Sequence, residues 1–446
     1  MASEWPVVRL GDVVDLVTGF PFESQRYTDD PTAPRLLRGD NVAQGALRWD
    51  GAKRWPPVQT PELDGYWLRV GDVILAMDRP WIEAGLKYAA VRDSDLPALL
   101  VQRVARLRGT GQLHTRFLKY VIGSRAFTEH VTAVQTGTAV PHISGGQIRS
   151  FEFSLPSLPE QRAIAHILGT LDDKIELNRL MNETLEAIAR ALFKSWFVDF
   201  DPVRAKSEGR DPGLPPHLAD LFPDSFDDSE LGEIPTGWKV APLGEIADVI
   251  DCSHSRKPKR QEQGRPLLQL SNIRADGLLD MTDTYLIGGS DYRAWTLRME
   301  ASPGDCAITN VGRVGAVAQI PGGLTAALGR NMTGVRCRPS FAFPTFLLEA
   351  LLSEALQNEV VLNTDTGTIL DALNVRSIPR LRLVLPDWDL AMRFEEIGRP
   401  IRANMEANLE ERRTLATLRD TLLPKLISGE LRLPDAGIAL FQALRV

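Results

Sequence analysis

The strongest constraint on this chain is that it is written twice. Residues 1–198 and 234–429 run in parallel at an offset of about 230. Trp5, Leu10-Gly11-Asp12 and Asp15 recur as Trp238, Leu243-Gly244-Glu245 and Asp248. Further along, Asn41-Val42 matches Asn272-Ile273, Gly71-Asp72 matches Gly304-Asp305, and Phe117-Leu118 matches Phe346-Leu347. Thr136-Gly137-Thr138 returns as Thr366-Gly367-Thr368, and Leu155-Pro156 as Leu385-Pro386. A period this long is a domain with an appended element, not a solenoid repeat. Between the anchors the copies differ, so a common frame carries two different fillings. A duplicated chain implies a pseudo-two-fold object, and such objects suit two half-sites on DNA.

Within each copy, short β-like runs alternate with turns. Val13–Val17, Asp72–Ala76 and Phe151–Leu155 read as strands, as do Leu243–Ile250, Cys306–Thr309 and Leu381–Leu385. Helices are predicted near Thr115–Val134 and Pro344–Asn363, which gives an α+β domain. Each domain is followed by a long amphipathic segment. In the first, Ser157-Leu158-Pro159-Glu160 has capping-box spacing. Ile164, Leu171, Ile175, Leu185, Leu192 and Trp196 then fall on one seam, with Asn178 among them. Adding 230 leads to Ile401, Met405, Asn408, Leu415, Leu422 and Leu426. The three- and four-residue steps define coiled-coil-like helices with a shared polar registry position, although each helix could instead pack only on its own domain. Gly169 and Pro400 are expected to divide each helix into a short and a long piece. An antiparallel pairing needs no linker that doubles back along the helix. The expected layout is therefore a domain at 1–156, a helix at 157–198, an acidic linker at 199–236, a second domain at 237–386, a helix at 387–429 and a tail at 430–446.

Net charge is −7, which by itself argues against nucleic-acid binding. The distribution of that charge weakens the objection. Residues 1–155 and 237–386 are each near +1, whereas residues 156–236 carry 8 basic and 16 acidic side chains. The acidity thus lies in the first helix and linker. No run approaches the roughly 18 apolar residues of a membrane span, and no secretory signal is visible at the N-terminus, so a soluble cytoplasmic protein is expected. Cys252, Cys306 and Cys337 lack metal-ligand spacing and read as isolated thiols.

Catalytic motifs are missing. There is no GxxxxGK[ST] loop, no HExxH and no Asn-Pro-Pro-Tyr-like run for a flipped adenine, and no metal site is expected. Asp172-Asp173-Lys174 reads as a solvated helix face. The densest basic run is Ser253-His254-Ser255-Arg256-Lys257-Pro258-Lys259-Arg260. In it Ser253, Arg256, Lys257, Lys259 and Arg260 suit phosphate and base contacts, with a solvated loop as the competing reading. Asn310 and Arg313 lie in a glycine-flanked loop after a strand, and Arg79 occupies the corresponding place in the first copy. Thr136, Thr138 and His142, with Thr366 and Thr368, either offer groups to phosphate or close a turn. Trp55, Trp67 and Trp81 read as packing residues.

Several segments also resemble a known family. Leu155 to Leu168 (LPSLPEQRAIAHIL), Ala191 to Val203 (ALFKSWFVDFDPV), Leu231 to Trp238 (LGEIPTGW) and Leu422 to Leu431 (LLPKLISGEL) resemble conserved regions of specificity (S) subunits of type I restriction–modification enzymes. The resemblance spans the order domain, helix, domain, helix. It implies two target-recognition domains, each reading half of a split double-stranded DNA sequence, on helices that fix the spacer. Those helices, including the eleven apolar seam residues named above, would dock two DNA-methyltransferase (M) subunits, and ATP-hydrolysing restriction/translocase (R) subunits would join them. The chain itself would be noncatalytic and bind no cofactor. S-adenosylmethionine, ATP and Mg would belong to the partners. In the second copy Asp389-Leu390-Ala391-Met392 replaces Pro-Glu-Gln-Arg, so the start of that helix is expected to be less well capped. The competing readings are a self-sufficient DNA methyltransferase or nuclease, and a protein-binding scaffold.

Overall fold

A computed structural model describes residues 5–57, 61–137, 140–253, 256–365 and 371–432. The chain divides into two compact units, Met1–Ile175 with Thr414–Val446, and Glu176–Arg413.

In the first unit Val14–Thr18 pairs with Val104–Gly109, which pairs with Val73–Ala76, which pairs with Tyr88–Ala90, all antiparallel. Arg35–Leu37 runs parallel to Ala98–Leu100. Val7–Arg9 pairs with Glu152–Ser154 and so brings the two ends of the domain together. The second unit repeats this frame. Ala247–Asp251, Met332–Cys337, Cys306–Thr309 and Val317–Gln319 form the four-stranded sheet in the same order. Arg265–Leu268 runs parallel to Ala327–Leu328, and Lys239–Pro242 pairs with Arg382–Leu385. The internal repeat is therefore one of topology as well as sequence. Val73, Leu75, Ala105 and Leu107 fill one core, and Ile308, Val317 and Val335 fill the other.

Each predicted mid-domain helix is two helices. Thr115–Ile122 and Arg125–Val134 meet at Ser124, whose hydroxyl accepts from the Phe127 amide at 3.2 Å. Pro344–Leu352 and Glu354–Leu362 meet at Ser353, which accepts from Leu356 at 3.3 Å. A serine that offers its own acceptor to the backbone restarts a helix as readily as it continues one. Leu243–Glu245 is a 3-10 turn rather than the start of the strand. Residues 199–236 are not an open linker. They form a helix at Asp201–Ser207, a turn of helix at Pro216–Ala219 and a hairpin of Phe226–Ser229 with Gly232–Pro235. Phe200, Val203 and Phe222 bury this segment in the core of the second unit.

The two long helices are Leu158–Phe197 and Trp388–Ser428, each about 60 Å at 1.5 Å per residue. Neither divides where a break was expected. The second continues through Gly398-Arg399-Pro400, because a proline removes only one helix hydrogen bond and packing of buried Phe394 and Met405 holds both flanks. Gly398 serves close approach instead: a Cβ there would lie 2.9 Å from Thr345 Cγ2. At the start of the first helix only half of the expected capping box forms. The Ser157 amide donates to Glu160 at 3.1 Å, but the Ser157 hydroxyl also donates to Glu160 instead of accepting from the helix.

Within each unit the long-helix segments run antiparallel. In the first, Asp172 meets Arg419 and Glu160 meets Arg432. In the second, Asn178 donates to Glu411 at 2.6 Å, Asn182 donates to the Met405 carbonyl at 2.9 Å, and Asn408 donates to Asn182 at 2.9 Å. The two equivalent asparagines thus have different partners across the helix pair: Asn408 meets Asn182, and Asn178 meets Glu411. The seam residues expected to meet a partner face their own unit instead. Ile164, Leu171, Leu415, Leu422 and Leu426 are buried in the first core, with Ile175 half-buried beside them. Trp196 is buried and Leu192 half-buried in the second core, while Met405 packs with the half-buried Leu185 and Ile401. Antiparallel pairing of the helices consumes this apolar face. Among the described residues, no helix is long and apolar enough to cross a membrane.

Candidate DNA interface

In the first unit the chain leaves strand Val73–Ala76 through Met77-Asp78-Arg79 and meets the segment around His142. The Arg79 amide donates to the Pro141 carbonyl at 2.6 Å, and Ile143 donates to Met77 at 2.9 Å. Thr136 and His142 exchange both backbone hydrogen bonds, at 2.9 and 2.7 Å. Three of the predicted contacts, Arg79, Thr136 and His142, therefore converge on one edge. Gly137 closes this turn with φ 91°, where a Cβ would also strike the Val140 carbonyl, so the Thr-Gly element has a turn-forming role in the first copy.

Sequence reasoning missed the rest of this edge. Asp78 holds His142 Nδ1 at 2.6 Å and Arg103 at 3.3 Å. Lys87 donates to the Gly39 carbonyl, and its pKa is lowered, chiefly by burial, with the Arg79 charge acting in the same direction. Arg79 is exposed and adopts φ 45°, the left-handed region. The topologically equivalent position in the second unit is Gly312, at φ 89°. A non-glycine side chain kept in this conformation stores about 1–3 kcal/mol of strain and is characteristic of functional sites. Two residues on, Trp81–Ile82 pairs with Gly85–Leu86 in a short hairpin. Trp81 is 42% exposed, so it is a surface ring and not the packing residue its sequence context implied, whereas Trp55 is buried. The edge thus combines cations, a histidine held by a carboxylate and an exposed aromatic ring.

The second unit presents a different surface. Lys257 lies over the Tyr285 ring at 4.0 Å, and Arg260 is paired with Asp283, which raises its pKa. Arg256 and Lys259 are exposed, and Ser253 is half-buried. A cavity lined by Lys257, Gln269, Ser271, Trp295, Arg330 and Asn331 adjoins the run. Asn310 is buried. Its side chain donates to the Leu373 carbonyl and accepts from Thr333, so it braces the loop instead of reading bases. Arg313 is exposed but tied to the Ile273 carbonyl at 2.7 Å. Thr138, Thr366 and Thr368, with His254 and Ser255, lie outside the described residues. No cluster of metal-ligating side chains occurs among the described residues. Burial pushes the Cys337 thiol up to about 12 and raises Cys252 and Cys306 as well.

On the long helices another feature escaped the sequence reading. Leu177, Leu180, Met181 and Ile188, in the second unit, are 40–50% exposed on the first long helix. Their spacing puts them on one face, beside the buried seam and distinct from it.

The two units share one α+β topology, each with antiparallel long-helix segments and a different polar edge, which defines a duplicated two-domain protein as the class. The family model described as the type I restriction modification DNA specificity domain matches residues 2–187. The MjaIX specificity subunit of a type I restriction enzyme from Methanocaldococcus jannaschii is 27% identical over 72% of this chain and 70% of its own length. The HindI specificity subunit from Haemophilus influenzae is 25% identical over 71% and 77%. The fold is shared with the type I restriction-modification S subunit from M. genitalium at a TM-score of 0.61, with 15% identity and coverage of 95% and 96%. The chain is thus similar to type I restriction–modification specificity subunits, by the family model in its first copy and by these relatives over most of its length.

Proposed function

We propose that this chain is the noncatalytic subunit that gives a type I restriction–modification complex its DNA sequence specificity, each domain reading one half of a split double-stranded target. The observation that carries this reading is one sheet order built twice with different residues on its polar edges. The strained Arg79 with Trp81 and His142 supplies one reading surface, and the run from Arg256 to Arg260 with Arg313 supplies the other. Thr138, Thr366 and Thr368 extend these candidate surfaces in sequence. The exposed stripe of Leu177, Leu180, Met181 and Ile188 offers apolar surface to a methyltransferase subunit, of which a duplicated chain would hold two. Restriction/translocase subunits complete the assembly. S-adenosylmethionine, ATP and Mg serve those partners, and the complex works in the cytoplasm, where its DNA is. Exchanging residues 1–155 for the first domain of a relative with a known target should change one half-site in the methylome and leave the other intact. A change in both half-sites, or in neither, would overturn the reading.

A further inference from the structure

The repeated frame creates a problem of identity. Phe117-Leu118 and Phe346-Leu347 are fully buried at equivalent positions where each domain meets its long helix, so the apolar contacts do not distinguish one domain from the other. One polar position does. Ser124 caps the helix that follows the one carrying Phe117, and Ser353 caps the helix that follows the one carrying Phe346, so Tyr120 and Glu349 are equivalent, each four residues before the capping serine. On the long helices Asp172 and Arg402 are equivalent at the repeat offset. Both pairs are joined, and their polarity is opposite.

In the first unit the long helix contributes the acceptor. Tyr120 donates to Asp172 Oδ2 at 3.0 Å, Lys119 donates to the same oxygen, and Arg419 donates to Oδ1 at 3.0 Å. In the second unit the long helix contributes the donor. Arg402 Nε donates to Glu349 Oε1 at 2.8 Å, Nη2 donates to the same oxygen, and Nη1 reaches the Asp276 carbonyl at 2.6 Å. The two side chains are 3% and 1% exposed, so neither can turn to water. A buried pair of this kind adds little net stability over apolar packing, but a mismatch is costly because an uncompensated charge stays buried. Docking the first domain on the second long helix would set the Lys119 ammonium against the Arg402 guanidinium, cation against cation, and leave Tyr120 without its carboxylate acceptor. Docking the second domain on the first would set Glu349 against Asp172, carboxylate against carboxylate.

We infer that Tyr120–Asp172 and Glu349–Arg402 form a polarity-coded address that assigns each domain to its own long helix and makes the two copies non-interchangeable. These are positioning residues, and the inference holds whatever each domain binds. The test is a cycle in the full chain. Arg402→Asp gives the second helix the polarity of the first, Leu348→Lys with Glu349→Tyr gives the second domain the polarity of the first, and the triple variant transplants the whole arrangement. Each half-swap should lower the melting temperature by on the order of 10 °C. The triple variant restores the Tyr–Lys–Asp contact without a counterpart of Arg419, so it should recover part of the loss, and its methylation pattern in the assembled complex should match that of the unaltered chain. A purely steric role would make the three substitutions additive or worse. A triple variant no more stable than the half-swaps, or half-swaps that melt like the unaltered chain, would overturn the address.

Discussion

Arg79 is the residue at which folding and recognition pull apart. Its backbone sits where the other copy places Gly312, so the local geometry asks for glycine while the chain keeps a cation. The proposed DNA-reading role of Arg79 would offset the strain it retains beside Trp81 and His142. Arg79→Gly should therefore leave thermal stability unchanged or slightly raised, because relief of about 1–3 kcal/mol of strain offsets the extra freedom of glycine in the unfolded chain. DNA affinity of the assembled complex should nonetheless fall several-fold, and its salt dependence should flatten by about one phosphate contact. Fluorescence anisotropy with labelled duplex at several salt concentrations, alongside a thermal melt, separates the two effects. Loss of stability with unchanged affinity would make Arg79 a structural residue. Arg103 and Asn331 show the same contrast between copies, at φ 69° and 64°. Asparagine tolerates that conformation far better than arginine. Nothing in the sequence marks Arg79 or Arg103 as left-handed: Asp78 and Pro80 signal a turn at Arg79, but a residue before proline is biased toward extended backbone, and the flanks of Arg103 carry no turn signature. Only the comparison of copies after folding exposes them.

Among the elements, those legible in the sequence are the ones whose signal is local and repeated. The long helices followed from their apolar steps, and the strands from anchors shared by both copies. What escaped depended on neighbours distant in the chain. Pro400 reads as a break, yet the surrounding packing carries the helix through it. Asn182 carries no more signal than Asn178, and only the registered partner, Asn408, distinguishes it. The poor cap expected where Asp389-Leu390-Ala391-Met392 replaces Pro-Glu-Gln-Arg has a related outcome. Glu395, one turn later, turns outward from its own helix to cap another. It accepts from the Thr345 amide at 2.8 Å, the Thr345 hydroxyl at 2.8 Å and the Phe346 amide at 3.1 Å, at the start of Pro344–Leu352. In the first copy Gln161 does comparable work, accepting from the His114 amide at 2.8 Å. Burial raises the Glu395 pKa above its ordinary 4.5, against the downward pull of those hydrogen bonds and of Arg399. The sign follows: the folded state holds its proton more tightly than the unfolded one, so stability falls as pH rises from about 4.5 through the raised value. Glu395→Gln removes this dependence. Relative to the unaltered chain, the glutamine variant should gain stability between pH 4 and pH 7, while its lost acceptor imposes a constant penalty of about 1 kcal/mol. Urea denaturation at a series of pH values reads the difference. A gap that widens against the variant as pH rises would mean that the charged carboxylate is the stabilising form.

Among the described residues, the two long helices are the elements that contribute to both units: 158–175 and 414–428 to the first, 176–197 and 388–413 to the second. If they set the distance between half-sites, that distance should respond to helix length. Each unit holds its own register, through Asp172 with Arg419 in the first and through Asn178 with Glu411 and Asn182 with Asn408 in the second. An insertion in one helix alone would force one of these registers to slip. The informative variant inserts four residues after Ile175 together with four after Arg413, which leaves every named contact intact. Four residues add about 6 Å of rise and about 40° of rotation. On B-DNA at about 3.4 Å per base pair, the rise corresponds to roughly two base pairs. The paired insertion should therefore leave both half-site sequences unchanged and lengthen the spacer between them by one or two base pairs in the methylome of cells carrying the complete system. The single insertion should give an unstable chain with little methylation. A paired-insertion variant that assembles and methylates with the original spacer would show that the helices do not measure the distance, and that the spacing is fixed by the partner subunits.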